Sequence, residues 1–263
     1  MLANYHTHTY RCHHATGTDE EYIQKAIAEG LKILGFSDHA PYLYPNGYAA
    51  YYKMTPEQSG EYFASLSALR EKYRDKIDIR IGYEAEYYPE LWDSTFKFWK
   101  SGIHRPEYLI LGQHFVSREV DEKNRVHSYT GSDKPEVLKE YVDVLIAGMS
   151  TKKFTYLAHP DLFQFFGDEQ LYIEEMHRLL SAVKTADIPL EINLLGLKEG
   201  RGYPKPLFWE LAAEYAPKVI LACDAHEPER VAVKEEIAMG LRFAEKYKLE
   251  LVDELSLVDP FKE

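Results

Sequence analysis

Residues 31–39 read LKILGFSDH, a short apolar run that ends in Ser37-Asp38-His39. An apolar run of this length predicts a buried β-strand, and Pro41 prevents its simple continuation. Residues 19–29 precede it with apolar side chains at helical spacing, acidic residues in the first turn and Gly30 at the position of a C-terminal cap. The pattern therefore predicts a helix followed by a strand whose carboxyl end carries polar residues.

The same layout recurs along the chain. Helices are predicted over residues 57–73, 169–184 and 228–247, and further strands over residues 77–88, 108–116, 154–159, 189–195 and 218–222. Strands that alternate with helices predict parallel β/α units, in either a closed barrel or an open sheet. Polar residues from many strand ends must converge on one site, and closure lets all of them do so. We therefore predict a single β/α-barrel domain over residues 1–263, with the Gly-, Tyr- and Pro-rich residues 41–55 as a rim loop.

The composition limits the function classes. The chain has 263 residues, 45% of them hydrophobic, which suffices for a packed core, and a formal net charge of −12. Binding to a nucleic-acid backbone rests on a surplus of Lys and Arg, so no nucleic-acid partner is expected. The sequence has no signal-peptide pattern and no window near the ~18 apolar residues that a membrane helix needs, so we expect a cytoplasmic protein without a membrane partner. Cys12 and Cys223 are expected to be free thiols, and no helical stripe is apolar enough to decide the oligomeric state.

Histidines are concentrated at the predicted strand ends. His6 and His8, two residues apart on an extended segment, point to the same side of the backbone, so one ion can bind both. A lone histidine at a strand end is more often a hydrogen-bonded core or surface residue than a ligand, but the concentration of so many favours a metal site. Zn²⁺, Mn²⁺ and Fe²⁺ prefer imidazole nitrogen and carboxylate oxygen. The candidate ligands exceed the needs of one ion, so we predict two or three divalent ions (Zn, Mn or Fe), bound by His6, His8, His14, His39, Glu84, His114, His159, Asp224 and His226. His104 and His127 are expected to be solvated loop residues.

The order of these motifs is distinctive. The first motifs are H-x-H at His6 and His8, a further histidine six residues on at His14, and S-D-H at residues 37–39. Glu84 on a predicted strand and G-Q-H-F at residues 112–115 follow. The last motifs are H-P-D at residues 159–161 and D-x-H at residues 224–226. The full set resembles the PHP (polymerase and histidinol phosphatase) family. Throughout its length the chain is similar to the stand-alone histidinol-phosphate phosphatases of that family. Gln113 stands where many relatives have a small residue, which affects the pocket wall and leaves the ligand set intact.

The resemblance implies a distorted, TIM-like (β/α)7 barrel with a trinuclear metal cluster at its carboxyl rim. It also implies that His6, His8 and Asp224 hold one ion, that Glu84 bridges to a second ion held by His114 and His159, and that His14, His39 and His226 hold a third. The implied activity is that of a metal-dependent phosphomonoesterase, which hydrolyses L-histidinol phosphate in histidine biosynthesis by attack of a metal-activated hydroxide. The partner is then a small-molecule phosphate ester.

Several residues are candidates for contact with the substrate. Arg201, between Gly200 and Gly202, is the candidate cation for the phosphate, with a solvated loop arginine as the alternative. Asp38 and Asp161 are candidates for the acid that protonates the leaving alkoxide, and Asp38 could instead orient a ligand imidazole. Further substrate-binding candidates at the rim are Asn193, Tyr42 and Phe165.

Other functions remain open from the sequence. The same site could act on another phosphomonoester, such as a phosphotyrosine protein, whereas the net charge of −12 disfavours a polymerase-associated exonuclease. A non-catalytic module for metal storage or regulation would require saturated coordination with no position for water.

Overall fold

The computed structural model describes residues 1–102, 105–116, 119–121 and 123–262. His104 lies outside these residues. The described part of the chain contains one parallel sheet whose strands follow the chain order: β1 (Ala3–Asn4), β2 (Ile33–His39), β3 (Asp78–Ala85), β4 (Leu109–Leu111), β5 (Tyr156–Leu157), β6 (Leu190–Asn193), β7 (Lys218–Ala222) and β8 (Glu250–Leu251).

Helices alternate with these strands. They are α1 (Asp19–Ala28), α2 (Ser59–Tyr73), α3 (Pro89–Lys100), α4 (Pro135–Ser150), α5 (Glu169–Ala186), α6 (Leu194–Glu199), α7 (Pro206–Tyr215) and α8 (Lys234–Lys246). Thr18 and Glu21 form a capping box at the start of α1. The sequence analysis did not predict α3, α4, α6 or α7. Three of these helices begin with proline, which suits the first helical position because its missing N–H has no partner there.

The sheet curls until its two sides meet at the carboxyl rim. Beyond β1 and β7, Thr7 pairs with Ala225 in a parallel bridge, and the His8 amide donates to the Ala225 carbonyl at 2.9 Å. The predicted β/α barrel is therefore confirmed. The resemblance implied seven strands, and the structure adds the two-residue strand β8, which pairs with the start of β7 at Lys218 and Val219.

Several strands are shorter than the sequence predicts, and β3 ends at Ala85 instead of residue 88. β4 ends at Leu111 and β5 spans only Tyr156–Leu157. In both cases the apolar run continues past the last residue that pairs in the sheet. Residues 194–195, predicted to extend β6, instead begin α6, because the Asn193 side chain caps that helix by accepting from the Gly196 amide at 2.8 Å.

Tyrosine side chains help to fill the lower interior of the barrel. Tyr5, Tyr108 and Tyr156 are buried together with small and aliphatic residues of other strands. The Tyr108 hydroxyl donates to the carbonyls of Tyr5 at 2.9 Å and Phe36 at 3.1 Å. This packing closes the interior below the rim and leaves the carboxyl end for polar residues. Among the described residues, no helix is both long and apolar enough to cross a membrane.

The first prediction concerns the approach of Tyr108 to Gly35. A methyl group at position 35 would meet the Tyr108 hydroxyl and would lie 2.9 Å from the Tyr5 Cα atom. We expect Gly35→Ala to lower the free energy of unfolding by about 1–3 kcal/mol, measured by urea denaturation. In a Tyr108→Phe background the same substitution should cost less, since one obstructing atom is gone. If the changes in the free energy of unfolding caused by the two substitutions were strictly additive, this packing would be contradicted.

Candidate metal centre

Glu84, at the carboxyl end of β3, lies at the centre of a group of histidines. The sheet register places it beside His39 of β2, and its side chain is 1% exposed. A Cβ atom at Gly112 would overlap the Glu84 carboxylate, so the glycine makes room for it. Five imidazoles surround this carboxylate. Its Oε2 atom is 3.4 Å from His6 Nε2, 3.6 Å from His8 Nε2 and 3.1 Å from His39 Nδ1. Its Oε1 atom is 3.5 Å from His114 Nε2 and 2.8 Å from His159 Nε2.

Asp224 approaches the same histidines from the end of β7. Its Oδ1 atom is 3.1 Å from His8 Nε2 and 3.5 Å from His6 Nε2, and its Oδ2 atom accepts a hydrogen bond from Asn193 Nδ2 at 3.0 Å. Asp224 has a backbone φ of 48°, a left-handed conformation that Asp tolerates better than most residues. The backbone therefore turns sharply at the point where the side chain joins the cluster.

His14, His39 and His226 form a neighbouring group. One nitrogen from each lies within 4.8 Å of the others, and the Nε2 atoms of His14 and His226 are 3.1 Å apart. His13 is exposed, and its amide closes the preceding turn by donating to the Tyr10 carbonyl. The structure thus brings all nine sequence-predicted ligands together.

The cluster contains buried polar atoms that no hydrogen bond satisfies within the described residues. They are His6 Nε2, both ring nitrogens of His8, His39 Nδ1, His159 Nδ1 and Glu84 Oε2. Buried polar groups are normally paired, because an unpaired one costs about 1–3 kcal/mol. Of these atoms, His6 Nε2, His8 Nε2 and His39 Nδ1 lie 3.4, 3.6 and 3.1 Å from Glu84 Oε2 without forming a hydrogen bond. Bound cations would satisfy them, so this donor set fits a metal centre.

Outer contacts fix the other ring nitrogen of several histidines. This leaves Nε2 directed toward the cluster, as is usual for histidines that bind metals. The Nδ1 contacts are His6 to Glu191 at 2.8 Å, His14 to the Cys12 carbonyl at 2.7 Å, His114 to Glu86 at 3.0 Å and His226 to the Asp224 carbonyl at 3.0 Å.

The electrostatics of the cluster divide its histidines into two groups. Burial alone would lower the pKa values of His6, His8 and His159, but nearby carboxylates raise them, that of His8 to about 9, so these rings exchange a proton for a bound ion. Burial, together with neighbouring imidazoles, lowers the pKa values of His14, His39 and His226, so these rings are neutral near pH 7. Burial alone would raise the pKa of Glu84 and of Asp224, but the surrounding histidines hold both well below their usual values. Neutral imidazole and ionised carboxylate are the protonation states that bind a divalent ion.

Glu191 and Glu86 hold ligand rings in place, and the sequence analysis did not single them out. Glu191 is fully buried on β6, and its two oxygens contact His6 Nδ1 at 2.8 Å and Asn193 Nδ2 at 2.7 Å. A signal was available, because residues 191 and 193 point to the same face of a strand and a carboxylate on the inner face of a barrel needs a partner. Glu86 offered the same signal, because the strand predicted over residues 77–88 places it on the same face as Glu84, although β3 itself ends at Ala85.

Asp38 contacts a ligand ring from behind. It is fully buried, accepts from the Thr9 amide at 3.3 Å and from the Thr9 hydroxyl, and lies 3.5 Å from His8 Nδ1. Of the two sequence-based alternatives for Asp38, this position favours orientation of His8 over proton donation to a leaving group.

Four other predicted residues have side chains that are held by contacts within the protein. Asp161 accepts from the Lys205 amide and from Trp209 Nε1 at 3.2 Å, and burial raises its pKa to about 6. The Asn193 amide is fully used by Glu191, Asp224 and the α6 cap. Tyr42 is buried and its hydroxyl donates to the Glu86 carbonyl, while Phe165 packs against the hydrophobic core. Their residue types fit the predicted roles, but their side chains are committed to the scaffold.

A cavity of about 590 Å³ opens directly above the cluster. Its floor includes the ligands His14, His39, His114, His159, Asp224 and His226. Two groups of side chains line its walls. The aromatic group consists of Tyr51, Tyr52, Phe115, His127 and Tyr129. The charged group consists of Glu199, Arg201, Glu227 and Arg230.

Three cavity residues refine the sequence-based expectations. Arg201 lines the cavity as predicted, with Nε 2.7 Å and Nη2 2.6 Å from Glu199 Oε2. Arg230, which the sequence analysis did not select, lines it too, with Nη2 3.3 Å from Glu236. His127 lies in a loop as expected, but it is half-buried and lines the cavity. Its ring lies 4.8 Å from that of Phe115, and burial together with nearby His114 lowers its pKa to about 4.

The fold and the site define a metal-binding β/α barrel, and comparisons with known proteins identify its family. The model of the PHP domain matches residues 4–194, and the chain belongs to this family. A protein of Deinococcus radiodurans named "probable histidinol-phosphatase" is 31% identical over 254 residues, which cover 94% of this chain and 92% of that protein. The histidinol-phosphatase of Bacillus subtilis is 24% identical, covering 84% of this chain and 92% of its own length.

A solved structure has the same fold. The histidinol phosphate phosphatase of Lactococcus lactis, solved with zinc, L-histidinol and phosphate, superposes with a TM-score of 0.73 at 18% sequence identity, over 99% of this chain and 98% of that one.

The contact between Glu191 and His6 leads to the second prediction. We expect Glu191→Gln to lower metal affinity by about 10–100-fold, because a neutral amide holds the His6 ring less strongly than a carboxylate does. Competition of the metal-loaded protein with a chromogenic chelator measures this change. Glu214→Gln, on the exposed face of α7, is the matched control. Equal metal affinity in the two variants would show that Glu191 does not position His6.

Proposed function

We propose that this protein is a metal-dependent phosphomonoesterase that hydrolyses L-histidinol phosphate to L-histidinol and phosphate. The observation that carries the proposal is the assembly of nine nitrogen and carboxylate ligands under a cavity that also presents arginines. Membership of the PHP domain family and the similarity over 94% of the chain to a protein named for this activity support the same substrate. We further propose that residues 1–263 act as one domain, without a nucleic-acid partner.

We propose two or three divalent ions at the centre. His6, His8 and Asp224 would hold the first, His114 and His159 the second, and His14, His39 and His226 the third, with Glu84 between the first two. The distances from Glu84 to His6, His8, His114 and His159 support its bridging position. His39 is also 3.1 Å from Glu84, so this ring lies between the second and third groups. The donor set suits Zn²⁺, Mn²⁺ or Fe²⁺.

The roles of the protein's own residues follow from their positions. When bound, such ions supply a water of lowered pKa as nucleophile and offset charge on the phosphoryl oxygens. Arg201 binds the phosphate, because it lines the cavity and its guanidinium can exchange Glu199 for a phosphoryl oxygen. Arg230 adds a second positive charge to the same cavity. Asp38 and Glu191 keep His8 and His6 in place throughout.

The cavity also suits the leaving group. L-Histidinol carries an imidazole and a cationic amine. The flat faces of Tyr52, Phe115 and Tyr129 can stack on the imidazole, and Glu199 and Glu227 supply negative charge for the amine. An aromatic group would also accept the ring of phosphotyrosine, so a phosphotyrosine protein is the second candidate substrate. The two carboxylates favour the amine-bearing substrate.

An activity assay tests the proposed substrate. Protein loaded with Zn²⁺ or Mn²⁺ should release phosphate from L-histidinol phosphate with a higher kcat/KM than from a phosphotyrosine peptide or a simple aryl phosphate. A chelator should abolish the release, and added metal should restore it. No release from any of the three by metal-loaded protein would overturn the phosphatase assignment, and a preference for the peptide would select the alternative substrate.

A substitution tests the proposed role of Arg201. Arg201→Ala should lower kcat/KM for L-histidinol phosphate by about 10–100-fold, as expected for the loss of a hydrogen bond between charged groups. Metal content should stay unchanged, since Arg201 contacts no ligand. Arg242→Ala, exposed on α8, is the control for a lost positive charge. If both variants keep the kcat/KM of the unmodified protein, Arg201 is not the phosphate-binding residue.

A further inference from the structure

Lys53 is a buried lysine in the rim loop formed by residues 41–55. Only 1% of the residue is exposed, and its Nζ atom lies 2.7 Å from Glu119 Oε2 and 2.8 Å from Glu86 Oε2. Both carboxylates are almost completely buried as well. Burial alone would lower the pKa of Lys53, but the two carboxylates raise it, so the ammonium stays charged. An ammonium is retained at such depth only where its partners compensate for the lost solvation.

Three tyrosine rings complete the surroundings of this ammonium. The Nζ atom lies 4.7 Å from the ring centroid of Tyr42, 5.3 Å from that of Tyr88 and 5.6 Å from that of Tyr52. The negative faces of aromatic rings attract a cation at these distances. Lys53 is therefore held from several sides, and its position is tied to that of each neighbour.

One neighbour leads to the metal centre. Glu86 places Oε2 against Lys53 and Oε1 3.0 Å from His114 Nδ1. The opposite nitrogen of His114, Nε2, faces Glu84 at 3.5 Å. The Glu86 carboxylate is thus shared between the buried ammonium and a ligand ring, and its orientation depends on both.

The other neighbour leads to the cavity. Glu119 accepts hydrogen bonds from Lys53 and from the Tyr52 hydroxyl. The Tyr52 ring lines the cavity and lies 5.5 Å from the ring of Phe115. A continuous series of contacts therefore runs from a cavity-facing tyrosine through Glu119, Lys53 and Glu86 to His114.

We propose that Lys53 is a positioning residue that couples the rim loop to the metal centre through Glu86 and His114. Without the ammonium, two buried carboxylates would face each other with like charges, so Glu86 would move away from its present position. His114 would then lose the partner that fixes Nδ1. The inference rests on the metal centre of the proposed function and is independent of the substrate. If Lys53 served only to anchor the loop, changes at the rim would leave metal binding unaltered.

The test measures metal release from the zinc-loaded protein into excess chelator, without any substrate. Lys53→Met should accelerate release about 10-fold, the usual scale for loss of an outer partner of a metal ligand. Tyr52→Phe, which removes only a hydroxyl at the rim, should accelerate it about threefold, as expected for one hydrogen bond. Tyr51→Phe is the matched control and should release metal at the unmodified rate, because Tyr51 is 76% exposed and contacts neither Lys53 nor Glu119 in the described structure.

The double variant separates coupling from independent effects. If the contacts act in series, Lys53→Met combined with Tyr52→Phe should release metal no faster than Lys53→Met alone. The proposal would be overturned if the acceleration of metal release in the double variant equalled the product of the two single accelerations. It would also be overturned if Tyr52→Phe released metal at the same rate as Tyr51→Phe. Should Lys53→Met fail to fold, Glu86→Gln replaces it, because it removes the charge that is shared between Lys53 and His114 and keeps the shape of the side chain; release should again accelerate about 10-fold. Lack of activity on L-histidinol phosphate would refute the proposed substrate and would leave this result unaffected.

Discussion

The rest of the structure depends on one electrostatic constraint, the burial of the Glu84 carboxylate among five imidazoles. Glu84 is 1% exposed, and several atoms around it lack hydrogen-bond partners in the described part of the chain. Such a group is costly to bury unless a cation offsets the charge and satisfies the free donor atoms. The ligands come from segments between residues 6 and 226, so the ends of the chain must meet for that compensation to occur. The bridge between Thr7 and Ala225 brings them together.

An outer group of residues makes this arrangement specific. Glu191 fixes His6, Asp38 contacts His8, and Glu86 fixes His114, each through the ring nitrogen that faces away from the cluster. A ligand ring held in this way loses little rotational freedom when it binds metal, which favours a preorganised centre. Lys53 extends the same principle outward, because its ammonium connects one of these carboxylates to the rim loop.

The fold and the ligand set were largely predictable from the sequence. Alternating strand and helix patterns predicted the barrel, because β/α units have few ways to bury both faces of a parallel sheet. Polar residues at strand ends predicted the clustering of the proposed ligands from His6 to His226, because those ends share one rim. Four helices and the strand β8 were missed, and β4 and β5 are shorter than their apolar runs. Hydropathy reports burial, and buried residues beyond a strand end resemble residues within it.

The sequence by itself determined which residue types gather at the rim, since strand direction and side-chain alternation are local properties. Only the tertiary structure decided what each side chain faces. In the folded protein Asp161 accepts from Trp209 and from the Lys205 amide, and Tyr42 donates to the Glu86 carbonyl. Asn193 caps α6, while His127 and Arg230 line the cavity. Many of these partners are tens of residues apart in sequence. Spacing along one strand cannot fix such contacts, because they depend on how distant strands and rim loops pack once the barrel closes.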